Sequence, residues 1–162
     1  MSRSFAVAFA VGLVVIALAV GGILFVRRGD VVQLPGKILK VRTAPLDENS
    51  SIVILDFRVT NPSDVQQEVS QVKVEMEDTA GKSYLGDVSS EGDAKRIFEA
   101  LPVLGPKFLT NLAMRSIILP HVSEDHMVAA RFQAPMAQID ARKRFILRIE
   151  EADGKSFEYP ER

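Results

Sequence analysis

His121 and His126 are the only histidines in the chain, and they bracket Ser123, Glu124 and Asp125. Imidazole, hydroxyl and carboxylate are the groups of nucleophilic and metal-assisted hydrolysis, so a reaction would be sought here first. The spacing argues against both. A Ser–His–carboxylate triad needs side chains converging from separate elements around an oxyanion hole, which groups crowded into one short stretch do not achieve. Two histidines and two carboxylates in a single loop also lack a recognised metal-ligand spacing. The plainer reading is a solvated turn before a strand at Met127; a metal-dependent hydrolase around His121 and His126 stands as the enzymatic alternative.

Gly81-Lys82-Ser83 and Gly154-Lys155-Ser156 each look like the tail of a phosphate-binding loop, but the spaced glycine that opens such a loop is replaced by Met76 and Ile149. Both stretches read as hairpin turns. Glu75, Glu77 and Asp78 could perform acid–base chemistry only in a cleft that shifts their pKa values. On an alternating strand beside Lys73 and Lys82 they read as a solvated face. No catalytic, cofactor-binding or metal residue is assigned, and no cofactor is expected.

The 162 residues suit one globular domain plus a short accessory segment. The 20 basic and 21 acidic residues are scattered and give a net charge of -1, so the footprint of a nucleic-acid binder is missing. The chain has no cysteine. That removes disulfides, Cys-ligated zinc and thiol nucleophiles together.

From Phe5 to Val26 no side chain is charged or strongly polar, and the run is flanked by Arg3 on one side and by Arg27 and Arg28 on the other. As a helix it would span about 33 Å, which matches a hydrocarbon core near 30 Å. Residues 1–28 therefore read as an N-terminal tail and a single transmembrane anchor helix in the lipid bilayer. Ala17-Leu18-Ala19 also fits a cleavage site, but the apolar run continues through Ile23, Leu24 and Phe25 to the arginine pair, as in a retained anchor. Lys37, Lys40 and Arg42 add to the positive charge on the C-terminal side, which by charge count favours a cytoplasmic domain. The short basic tail followed at once by the apolar run looks instead like an uncleaved export signal, and an extracytoplasmic domain at the cell membrane is the expectation adopted. Ala6, Ala10, Ala17 and Gly21 share one helix face, a stripe that permits weak self-association.

Residues 29–36 read as a stem and residues 37–162 as the domain. Val53, Leu55, Phe57 and Val59 alternate with Asp56, Arg58 and Thr60, as in a half-buried strand that ends at Asn61-Pro62. Val72, Val74 and Met76 repeat the pattern before a hairpin at Gly81. Phe145, Leu147 and Ile149 do so before one at Asp153-Gly154. Val128 to Ala134 alternates again, and Ile38 to Val41 supplies a weaker strand. Six or seven such strands predict a mainly β, antiparallel β-sandwich. One short helix interrupts it near 90–101, with Ser90 and Asp93 as a capping box and Ala94, Ile97, Phe98 and Leu101 on one stripe. That stripe should cover an end or edge of the sandwich. The apolar stretch from Leu101 to Leu119, broken by Pro102, Gly105 and Pro106, reads either as core, crossing as a lid, or as a binding groove; Leu104, Phe108, Leu109, Leu112 and Met114 are its candidate surface.

Leu55-Asp56-Phe57-Arg58-Val59-Thr60-Asn61-Pro62-Ser63, followed by Val72 to Asp78 and the Gly81 hairpin, resembles the immunoglobulin-like domains behind a single anchor helix in bacterial envelope proteins of uncharacterised function. It is more loosely similar to the late-embryogenesis-abundant type-2 (water-stress) domain, where a strand also ends in an Asn-Pro turn. The resemblance implies a β-sandwich without known catalysis. The expected function is a non-enzymatic, membrane-tethered module that binds a protein partner or scaffolds an envelope complex. Lipid or small apolar ligand binding through 101–119 is the alternative.

Overall fold

The computed structural model describes residue 9, residues 12–22 and residues 33–162. The chain forms two compact units, Met1–Val32 and Gln33–Arg162. In the first, residue 9 and residues 12–22 are helical (α1), and Ala17 and Gly21 lie in this helix. Arg3, Ala6, Ala10, Arg27, Arg28 and much of the expected span from Phe5 to Val26 lie outside the described residues. Among the described residues no helix is long and apolar enough to cross a membrane.

The second unit contains β1 (Gly36–Pro45), β2 (Ser51–Thr60), β3 (Gln67–Glu77), β4 (Ser83–Val88), α2 (Glu91–Ala100), a 3-10 turn (Pro102–Leu104), β5 (Ile117–Ile118), β6 (Ser123–Phe132), α3 (Met136–Asp140), β7 (Arg144–Glu151) and β8 (Ser156–Pro160). The ladders between strands are antiparallel and run β1-β2-β6-β4-β3-β7-β8, with β5 beside β3. β4 is the corner. Its Ser83–Gly86 portion pairs with β3, and Asp87 and Val88 pair with β6. The path therefore folds over at β4 into the two layers of a β-sandwich. Val53, Leu55 and Phe57 from one layer pack with Val74, Met76 and Leu147 from the other. On the opposite side the two path edges meet: the Tyr159 hydroxyl of β8 donates to Leu34 O at 2.6 Å, and a Cβ on Gly36 would come within 2.7 Å of the Tyr159 ring. Leu34 is buried, so the domain reaches back to Gln33.

Four expectations are corrected. β2 is not half-buried: Ile52 and Ile54 are as inaccessible as Val53 and Leu55, and only Arg58 on this strand is exposed. The cause is α2, which covers neither an end nor an edge. It lies on the outer face of β1-β2-β6, where Ala94, Phe98 and Leu104 close a second core over Ala44, Ile52, Ile54, Met127 and Ala129. Its cap is as expected, with Asp93 N donating to Ser90 Oγ at 3.1 Å. A further short helix, α3, follows Pro135 and plugs the main core with Ile139. Finally, 101–119 does not cross the sandwich as a lid. Leu104 enters the outer core, and Leu112 and Ile118 enter the main one, because Pro102, Gly105 and Pro106 break the run into separate short anchors.

The corner at β4 depends on Gly86, where an added Cβ would stand 2.7 Å from Phe132 Cζ and 3.1 Å from Ala130 Cβ. Phe132 is fully packed and cannot retreat. Gly86→Ala is expected to cost about 1–3 kcal/mol and lower the urea midpoint. Gly92→Ala, on the exposed side of α2, should leave the midpoint unchanged or raise it.

Candidate functional site

The outer layer carries the most distinctive polar contact. Arg42, on the outer face of β1, donates from Nη1 to Leu104 O at 3.0 Å and Pro106 O at 3.2 Å, and from Nη2 to Asp56 Oδ1 at 2.6 Å. Its guanidinium lies 4.9 Å from the centroid of the Phe98 ring. Both charged side chains are nearly buried, at 12% and 13% exposure. Ions so far out of water are tolerated only when paired and hydrogen-bonded, so Arg42 holds the 104–106 segment where it is. Gly105, at φ +73°, lets the chain turn there.

The pinned segment is a ridge between two grooves. One, of about 340 Å³, has Leu39, Lys40, Phe108 and Leu109 along it, with Arg42 and Asp56. The other, of about 380 Å³, runs between the ridge and α2, past Phe98, Glu91 and Lys107. Lys107 Nζ donates to Glu91 Oε1 at 2.6 Å and to Leu109 O at 2.9 Å. Asn111 N donates to Glu91 Oε2 at 2.8 Å, and the buried Asn111 side chain bridges Ser89 O and Ala129 N. Phe108 lies between these fastenings and is 84% exposed. Leu39 is turned outward by a bulge between Ile38 and Lys40.

The five candidate surface residues therefore separate. Leu104 and Leu112 are core, in different clusters. Phe108 and half-buried Leu109 share the first groove with Leu39, which sequence reasoning missed because nothing in Lys37 to Val41 marks a bulge. Met114 is exposed but lines a third groove, of about 600 Å³, with Val72, Val88 and Ala113. That groove opens where β4 leaves β3 for β6.

The histidines do not converge. His121 Nε2 is 2.7 Å from Asp64 Oδ1 on the exposed surface. His126 Nε2 is 3.2 Å from Glu124 Oε2, and the ring packs 6.2 Å from that of Phe57. Among the described residues there is no group of three or more His, Asp or Glu placed to hold a metal. The carboxylates of β3 are engaged by β7 and the residue before it: Glu77 meets Lys143 and Arg144, each at 2.6 Å, and Glu75 meets Arg148 at 3.1 Å. These basic partners hold Glu77 below the usual carboxylate range. Asp78 caps the turn by accepting from Ala80 N and Lys82 N.

Glu151 is the exception among the acids. It ends β7 at 3% exposure beside Gln67, whose amide, turned to satisfy both of its ends, donates to the two carboxylate oxygens at 3.0 and 3.1 Å. Burial first, and then the charge of Asp153, push its pKa up to about 7 against the pull of Lys155.

No family model matches the chain. No curated protein matches it either. Among solved structures it is similar to an uncharacterised β-sandwich protein from Clostridium difficile 630, at 13% identity and a TM-score of 0.40, over 80% of this chain and 86% of that one. It is also similar to the putative ApaA protein from Bordetella pertussis, at 12% identity and a TM-score of 0.38, over 80% and 88% of the two chains. The Iho670 flagellar-like filament is similar at 10% identity and a TM-score of 0.35, over 99% and 98%.

Burial and the charge of Asp153 at Glu151 give the domain a pH dependence, which the Gln67 amide donating to the carboxylate opposes. With the Glu151 pKa raised in the folded state, the fold binds a proton that the unfolded chain has released, so this stabilisation is full below about pH 4.5 and is lost as pH rises through about 7. The thermal midpoint should fall between pH 5 and pH 8, and Glu151→Gln should flatten that slope. Below about pH 4 the ion-paired carboxylates, Glu77 and Asp125 among them, reverse the trend, because their lowered pKa values favour the fold only while they are ionised.

Proposed function

We propose that the chain is a non-enzymatic, membrane-tethered β-sandwich of the cell envelope that binds a protein partner through the groove of Leu39, Phe108 and Leu109. The apolar run from Phe5 to Val26 with its arginine flanks is its anchor, and the domain faces the extracytoplasmic side. The observation that carries the binding function is Phe108, a large aromatic ring 84% exposed on a segment fastened from both sides. Leaving such a ring in water gains nothing for the fold. In a partner's pocket it supplies the aromatic anchor typical of interface hot spots, and the fastened loop has little ordering entropy left to lose.

The strand order supports the immunoglobulin-like reading. With β1, β2, β3, β4, β6, β7 and β8 taken as strands A to G, the ladders give A-B-E-D and C-F-G, the arrangement of that sandwich. In such folds the loops and sheet faces vary while the core does not, which suits a module whose specificity lies in 102–109.

Purification of the full chain from its own membranes in mild detergent tests the reading. A partner recovered with the wild type should be lost with Phe108→Ser, at a cost of about 2 kcal/mol in binding, and kept with Leu85→Ser, which alters another exposed apolar residue, on β4. Equal recovery with both variants would overturn it.

A further inference from the structure

Exposed aliphatic side chains also gather at a second place, the end of the sandwich where the chain enters the domain. Pro35 O accepts from Thr60 N at 2.8 Å, so the incoming chain runs against the last residue of β2. The next residue, Asn61, is fully buried and joins three segments. Its backbone N–H donates to Val122 O at 2.9 Å, and its side-chain Nδ2 donates to Val65 O at 2.8 Å and Ile118 O at 3.2 Å. Its Oδ1 accepts from the Ser63 hydroxyl at 2.7 Å, which fixes the turn after Pro62. The loop between β2 and β3 and the stretch around β5 therefore meet at one buried amide. From them Val65, Ile117 and Leu119 stand out at 63%, 50% and 50% exposure.

The position of this face along the chain identifies its occupant. Only residues 27–32 separate the end of the apolar run at Val26 from the start of the domain at Gln33. Fully extended, that tether reaches about 20 Å. The headgroup layer outside the hydrocarbon occupies roughly 5–8 Å of that distance. We infer that this end of the sandwich rests on the lipid headgroup surface, with Val65, Ile117 and Leu119 dipping into it. The inference rests on the anchoring proposed above. Aliphatic side chains carried on fixed turns bury at the headgroup–acyl boundary in proportion to the apolar area they remove from water. The contact deepens the functional reading, because it limits how the tethered domain can turn and so presents the Phe108 groove to partners in a restricted set of directions.

The chain has no tryptophan, so a single introduced indole reports cleanly. Val65→Trp, Leu119→Trp and, as the control, Leu46→Trp at the far end of β1 are made in the full chain and reconstituted into phosphatidylcholine–phosphatidylglycerol vesicles. Flotation reports anchoring; quenching by lipids brominated on the acyl chain reports contact of the face. Flotation with a blue shift and loss of emission at 65 and 119, but not at 46, is the expected result. Flotation with all three indoles equally unquenched overturns the contact and leaves the anchor standing. Failure to float overturns the anchor, and the contact with it, since no lipid is then brought to this face. The two tryptophan sites serve as mutual checks against local misfolding.

Discussion

β2 carries apolar side chains on both of its faces, and both sets must leave water. Val53, Leu55 and Phe57 do so between the two layers of the sandwich, as any such strand would. Ile52 and Ile54 need a second cover, and α2 with Leu104 supplies it. Each fully buried aliphatic side chain is worth about 1.5–3 kcal/mol, so the outer layer is an integral part of the fold rather than an appendage to it. Because α2 must sit there, the chain that follows it must return across the same face before β6, and the grooves lie along that return.

Arg42 and Asp56 stand at the margin of this outer core, where apolar cover gives way to solvent. A guanidinium is suited to the place: its planar fork reaches two backbone carbonyls and a carboxylate at once, while its face lies over Phe98. The pair turns an irregular loop into a fixed ridge. On the opposite sheet, charge has a different use. There Lys73, Glu75 and Glu77 alternate along β3 and pair across to β7, with Glu77 also meeting Lys143 just before it; the basic ends at 143 and 144 stay open to solvent, which limits what each pair adds.

The alternating strands, both hairpins and the capped helix were legible because period-two patterning, turn glycines and a Ser-x-x-Asp start are local signals. Gly81 and Gly154 indeed adopt the positive φ that such turns demand. Where α2 packs was not read, although a signal exists: Ile52-Val53-Ile54-Leu55 is an unbroken apolar run, which alternation read on one face alone overlooks and which marks a strand covered on both sides. The five residues of α3 are too few to show a helical period. The role of Arg42 is invisible in sequence, since its partners at 56, 98, 104 and 106 come together only in three dimensions. Phe108 stands exposed, whereas Leu104 and Leu112 from the same apolar stretch went into the cores; a broken run gives no periodicity by which to sort them.

Arg42 fastens the outer layer, and the proposed role of Phe108 depends on that fastening being rigid. Amide hydrogen exchange on the full chain in mild detergent, wild type against Arg42→Met, tests this most directly. Faster exchange in the variant at Leu104 and Gly105, whose N–H groups bond to Leu101 O and Pro102 O, with β2 and β7 still protected, is the predicted result. Unchanged protection across 101–109 would contradict it.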